Sequence, residues 1–193
     1  SSRMNTPFIT DRSFKGMDFT SKRLEKGEYE NCVFDSCSFS KGDISNIAFM
    51  ECIFTDCDLS NVNLKNTTFK EVVFKKSKLL GIHFDHCNDF LLSFNFHDCT
   101  LDLSSFYKLK LKSTTFNNCK MISVEFTETD LTETIFDSCN LEGAIFENCN
   151  LEKVDFRTAF NYSLDPEKNK IAKAKFSKEG ALGLLKKYNI QIT

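Results

Sequence analysis

Three histidines, nine cysteines and a late run of carboxylates are the residues of this 193-residue chain whose types could do chemistry. Nine thiols raise two readings, a disulfide framework or a metal cluster. Their spacing argues against both. Cys32, Cys37, Cys52, Cys57, Cys99, Cys119, Cys139 and Cys149 all occupy the small inward position of a five-residue repeat whose frame slips by two midway, and Cys87 joins them if the frame of the first half is continued. A ladder such as Cys99, Cys119 and Cys139 does not converge on a zinc tetrahedron. The thiols therefore read as small core residues of a protein in a reducing compartment. His83, His86 and His97 flank large apolar positions and are expected to face solvent. Cys87 beside His86 is the sharpest nucleophile and base candidate, but neighbours in an extended turn point to different sides. No glycine-rich phosphate loop, helical metal motif or nucleophile elbow occurs. The chain reads as non-enzymatic, with no catalytic residue, no cofactor and no resident metal.

The elements that position these groups follow from the period. Stepping by five from Phe14 to Phe84 meets an apolar residue at all fifteen positions, and stepping from Phe96 to Phe156 meets one at all thirteen, against an overall hydrophobic content of 41%. Past the first turns, two places before each large residue sits a second uncharged one, usually small, as at Cys32, Gly42, Thr67, Ser104 and Val124. A period of five suits neither an α-helix at 3.6 nor a strand at 2.0. It suits a coil that turns a corner every five residues, each corner sending one large and one small side chain inward. Four corners per turn place residue n over residue n+20 at a strand spacing of about 4.8 Å, so seven turns make a rod of roughly 34 Å.

Units such as Cys139-Asn140-Leu141-Glu142-Gly143 and Ala144-Ile145-Phe146-Glu147-Asn148 resemble those of the pentapeptide-repeat family, over residues 12–176. The resemblance implies an all-β fold, a right-handed quadrilateral β-helix. Both ends of such a rod need covers. The expected organisation is an appended remnant and N-terminal cap over 1–13, the repeat over 14–160, and a turn, last repeat and capping segment over 161–193. Ser1, Ser2 and Arg3 ahead of Met4 read as that remnant, and Arg12, Met17 and Lys22 at inward small positions mark atypical first turns. Asp165-Pro166-Glu167 predicts a turn. Ser177 predicts the cap of a short C-terminal α-helix reaching Tyr188, with Ala181, Leu184, Leu185 and Tyr188 on one face beside Leu182. Ile190 and Ile192 predict a closing strand. Such an apolar helix caps the core or joins two rods. The step from Phe84 to Phe96 is two residues too long, which predicts a bulge or bend within 85–95, where Phe90 and Phe94 are extra aromatics.

Charge separates function classes. The net of −2 lacks the basic footprint of a nucleic-acid binder. No apolar run has the length of a membrane span and the start lacks signal-peptide order, so the expected location is the cytoplasm. The modest total conceals an asymmetry. Residues 122–156 hold nine acids against Lys153 alone, and residues 157–193 hold eight Lys or Arg against three acids. Asp137, Glu142, Glu147 and Glu152 follow successive inward residues and are expected to ring the rod, with Glu125, Glu128, Asp130 and Glu133 close by. This acidic surface is either plain solvated surface or an imitation of a phosphate backbone that attracts the basic groove of a DNA-handling enzyme.

The stretch from Asn150-Leu151-Glu152 through Asn161-Tyr162-Ser163-Leu164-Asp165-Pro166 to Ala181-Leu182-Gly183-Leu184-Leu185-Lys186-Lys187-Tyr188 is similar to the C-terminal region of Qnr-like proteins. That group protects DNA gyrase and topoisomerase IV from fluoroquinolones as dimeric DNA mimics joined through C-terminal helices. The resemblance implies a type II topoisomerase as protein partner and a homodimer through Leu182, Leu184, Leu185 and Tyr188, while the charge and the lack of a long apolar run predict no direct nucleic-acid binding and no membrane. A generic protein-interaction scaffold without a topoisomerase partner is the alternative.

Overall fold

A computed structural model describes residues 6–193, so Ser1 to Arg3 lie outside the described residues. Eleven short strands run in chain order: β1 Phe8–Thr10, β2 Ser13–Lys15, β3 Glu28–Glu30, β4 Val33–Asp35, β5 Ala48–Met50, β6 Ile53–Thr55, β7 Thr68–Lys70, β8 Val72–Lys75, β9 Phe94–His97, β10 Thr115–Asn117 and β11 Ile135–Asp137. They form two all-parallel sheets, ordered β1-β3-β5-β7 and β11-β10-β9-β8-β6-β4-β2. The remaining two walls are held by isolated parallel bridges, such as Ser38 to Asp58 and Asp43 to Asn63. Pairing steps by 20 residues, as in Phe34 with Phe54. The result is the expected right-handed, four-walled β-helix.

Each corner is made by local chemistry. The second residue after the inward one takes a left-handed backbone at most corners, for example Asn31, Asn46, Asn61, Asn66 and Asn118 at φ between 52° and 58°. Asn tolerates this region better than most residues. Its amide adds a second bond between layers, from Asn118 Nδ2 to Asp98 Oδ1 at 2.7 Å and from Asn66 Nδ2 to Asn46 Oδ1 at 3.0 Å. At several of the same corners the residue before the inward one also closes an Asx-turn, with Ser45 N donating to Asp43 Oδ1 at 2.7 Å and Ser60 N to Asp58 Oδ1 at 2.9 Å.

Inside, the Phe14 wall stacks nine phenyl rings without a break: Phe14, Phe34, Phe54, Phe74, Phe96, Phe116, Phe136, Phe156 and Phe176, with centroids 4.7 to 5.4 Å apart. The ladder thus continues one layer past Phe156, through the bridge from Asp155 to Lys175. Diagonally across, Phe84, Phe106, Phe126 and Phe146 form a second stack. The small inward residues carry short donors that reach a carbonyl in the layer below. Thr67 Oγ1 donates to Ile44 O at 2.8 Å, Thr134 Oγ1 to Leu111 O at 2.8 Å, and Cys139 Sγ to Phe116 O at 3.2 Å. All nine thiols are free and buried, as expected of core residues.

The bulge is confined to Asp89–Ser93. Asn88 still pairs with Thr68 at the old step of 20, whereas Phe94 pairs with Val72 at a new step of 22. This layer has no large corner residue above Phe69. Phe94, standing at a small inward position, fills the gap with its ring 6.0 Å from Phe69 and 5.5 Å from Phe84. The displaced turn pushes Phe90 and Leu91 outward to 71% and 59% exposure.

The ends correct two expectations. Ser177 Oγ accepts from Gly180 N at 2.9 Å, but no α-helix follows and the element that forms starts from Glu179 without a side-chain cap. Gly180–Leu184 and Lys186–Tyr188 are 3-10 turns. Gly180 and Gly183 disfavour an α-helix, and both lie against Tyr162, where a Cβ on Gly183 would come within 2.5 Å of the Tyr162 carbonyl oxygen. Tertiary contact thus selects a tighter, flatter lid. Ile190 and Ile192 form no strand and are exposed. The turn at Pro166 and Glu167 is present, with Lys168 N donating to Asp165 O at 3.1 Å. At the other end the Arg12 guanidinium lies 5.0 Å above the Phe14 ring and covers the last face of the stack.

Two outcomes follow from this core. Phe116→Ala removes a ring stacked on both sides and should cost about 3–5 kcal/mol in urea unfolding; a loss below about 1 kcal/mol would show that the stack is not the source of stability. Burial pushes the thiols of Cys57 and Cys87 up to about 12, so they stay protonated at neutral pH. Brief alkylation followed by mass spectrometry should modify none of the nine in the native protein and all nine after denaturation in guanidinium.

Candidate interaction surface

The eight acidic positions singled out from the sequence do not behave alike. Asp130 is an Asx-turn residue, its Oδ1 accepting from Thr132 N at 3.0 Å and Thr132 Oγ1 at 2.6 Å. Asp137 Oδ1 accepts from Thr158 Oγ1 at 3.0 Å and Ser138 Oγ at 3.1 Å. Glu125 accepts from Ser105 Oγ at 3.2 Å, and Glu128 pairs with Lys108 at 3.7 Å. Among the described residues, the carboxylates of Glu133, Glu142, Glu147 and Glu152 make no hydrogen bond and no ion pair; Glu152 is half-buried and the other three are exposed. These four are the free charges.

Asp137, Glu142, Glu147 and Glu152 follow Phe136, Leu141, Phe146 and Leu151, one on each wall, so they do encircle the rod. The vertical register adds something the linear sequence hides. Glu128 N donates to Glu147 O at 2.8 Å, and Glu133 N donates to Glu152 O at 3.0 Å. Each pair therefore lies on consecutive layers, at the two edges of the wall that buries Leu131 and Leu151, with Asp130 between them. The same wall carries the bridge series Lys110, Asp130, Asn150, Lys170. An acidic band two layers tall is thus bounded by lysines above and below. The sequence signal was the step of 20, which sets Lys110 under Asp130.

Other candidates separate cleanly. Cys87 is buried, its thiol pushed up to about 12 by burial and by the carboxylates of Asp89 and Asp85. His86 is exposed and has no hydrogen bond to it, so the two do not form a nucleophile and base pair. Asp155, bound by the Arg157 guanidinium at 2.9 Å, has its carboxyl held below the usual range by that group. Of the four terminal apolar residues, Leu184 packs against the core, whereas Leu182, Leu185 and Tyr188 are 46%, 39% and 54% exposed. Lys187 fixes the lid by bonding Asp165 at 2.9 Å and Glu167 at 2.8 Å. Among the described residues no helix is long and apolar enough to cross a membrane.

Comparison with known proteins agrees with this architecture. No curated protein sequence matches significantly. Among solved structures, a trypsin-treated variant of QnrB1, described as a plasmid-mediated fluoroquinolone resistance protein, superposes with a TM-score of 0.64 at 17% identity, covering 97% of this chain and 100% of that one. A second trypsin-treated QnrB1 variant gives 0.63 at 17% identity, covering 94% and 98%. At such identity the likeness is one of fold. The family model for the pentapeptide repeat region matches residues 47–120 and 109–178, and with the five-residue corners and 20-residue ladder already described, the chain belongs to the pentapeptide-repeat family.

Proposed function

We propose that this rod is a non-enzymatic protein ligand of a type II topoisomerase, DNA gyrase or topoisomerase IV, which it engages by presenting carboxylates where the enzyme expects phosphates. The observation that carries the reading is the set of unpaired carboxylates at Glu133, Glu142, Glu147 and Glu152. Residues 122–156, with a net of −8, occupy somewhat less than two coils, roughly 9 Å of rod. Duplex DNA carries one charge per about 1.7 Å of axis, roughly five over the same length. The acidic band therefore matches or exceeds the linear charge density of the polymer it would replace. The likeness in fold to QnrB1 supports the same partner class and a role in shielding the enzyme from fluoroquinolones. The setting is the cytoplasm, and DNA itself is not bound.

The exposed apolar residues of the lid, Leu182, Leu185 and Tyr188, support a homodimer formed end to end, with Leu184 acting from beneath as a core residue. A second reading, a scaffold for some other protein partner, is favoured by Phe90 and Leu91. These adjacent apolar side chains project at the bulge, 71% and 59% exposed.

Supercoiling by gyrase, titrated with this protein with and without a fluoroquinolone, tests the main reading. Inhibition or drug rescue should appear and weaken as salt rises. Combining Glu133→Lys, Glu147→Lys and Glu152→Lys should raise the concentration required about tenfold or more while circular dichroism stays unchanged. Full potency in that variant would remove the mimicry mechanism, and loss of potency with Phe90→Asp alone would favour the bulge instead. For the dimer, Leu182→Lys with Leu185→Lys should halve the sedimenting mass without unfolding, whereas Leu184→Lys should lower stability. An unmodified chain that already sediments as a monomer would end the dimer proposal.

A further inference from the structure

We propose that His83, Asp85 and His86 form a binding site for a first-row divalent cation of the zinc class, at the corner just before the register shift. The corner is a 3-10 turn over Phe84–His86, closed by His86 N donating to His83 O at 3.1 Å and Cys87 N to Phe84 O at 3.0 Å. A 3-10 turn has three residues per turn, so side chains three apart lie on the same side. The imidazoles of His83 and His86 accordingly stack, with centroids 4.8 Å apart and planes 14° from parallel.

The Asp85 carboxylate approaches a ring nitrogen of each stacked imidazole. Its Oδ1 is 3.6 Å from His83 Nδ1 and its Oδ2 is 3.7 Å from His86 Nε2. Both separations are too long for hydrogen bonds. Asp85 Oδ1 is moreover buried without any hydrogen-bond partner, a state that folded proteins rarely leave uncompensated. For metal–ligand bonds of about 2.0–2.2 Å, donors around a tetrahedral ion lie roughly 3.3–3.6 Å apart. The two carboxylate–imidazole contacts, one to each carboxylate oxygen, are near that size.

The three donor atoms all lie within 4.8 Å of one another. The His83 and His86 side chains are 66% and 57% exposed, so rotation of the rings closes the third edge without disturbing the core. Two imidazoles and one carboxylate, with no thiolate, select zinc, cobalt or nickel over magnesium or calcium. Three protein ligands leave a fourth tetrahedral position for water. The backbone of the site is already fixed, because His83 pairs with Ser105 and His86 O accepts from Asn66 N at 2.9 Å. The site is separate from the acidic wall and does not depend on the topoisomerase reading.

The test is titration of the reduced, full chain with Zn(II) by calorimetry and with Co(II) by visible absorption. One ion per chain is expected, with cobalt bands of a nitrogen and oxygen site. His83→Ala and His86→Ala should each weaken binding about tenfold or more, since even outer-shell partners of metal ligands are worth 10 to 100-fold, and His97→Ala should change nothing. Asp85→Asn should also weaken binding. That substitution can disturb the turn, so the two exposed histidines, checked by circular dichroism, carry the decision. Unchanged affinity in the His83→Ala/His86→Ala double variant, thiolate charge-transfer bands with cobalt, or no binding in the unmodified chain would overturn the proposal.

Discussion

Everything in this protein depends on one spacing. Parallel strands bonded through their backbones lie about 4.8 Å apart, and that is also a comfortable separation for stacked aromatic rings. The nine rings of the Phe14 wall meet at 4.7 to 5.4 Å because the ladder sets them there. Backbone and side-chain preferences coincide, so each added layer satisfies both at once. A stack of this kind has no distant contacts to find, since every layer touches only its neighbours. It also explains the small inward residues. A Cys, Thr or Ser beside the ring has just the reach to donate into the layer beneath, so a polar atom is accepted in the core without being left unpaired.

The same rigidity makes the register shift informative. Two extra residues could have disturbed several layers, yet the ladder is in phase at Asn88 and again at Phe94. Containment has a local cause: Phe94 supplies ring volume where the corner residue is missing, so the layer above meets a filled surface. What does not fit inside is expelled as Phe90 and Leu91. The corner before the shift tightens into a 3-10 turn and brings two stacked imidazoles beside a carboxylate. The two irregular features of the rod are neighbours, and each carries side chains that the core does not use.

Charge on this rod is a matter of layers. Residues 20 apart become vertical neighbours, so a stretch of acids becomes a horizontal band and the lysines on either side become its borders. A partner with a narrow basic strip would meet the acidic wall squarely. Within the band, Asp130 and Asp155 serve turn geometry and leave Glu133, Glu142, Glu147 and Glu152 as the charges open to a partner.

The period of five, the inward phase, the burial of all nine cysteines and the position of the slip were legible in the linear sequence, because each is dictated by residue type at fixed short separations. So was the turn at Pro166. Tertiary structure alone decided the rest. Whether Gly180 to Tyr188 winds as an α-helix or as 3-10 turns was set by the close approach of Gly183 to Tyr162, a contact between distant parts of the chain. For Asp137, Glu125 and Glu128, being tied was set by groups one coil away, Thr158, Ser105 and Lys108. That His83 and His86 converge was set by one tightened corner, since a period of five says which way a side chain faces but not where a corner departs from it.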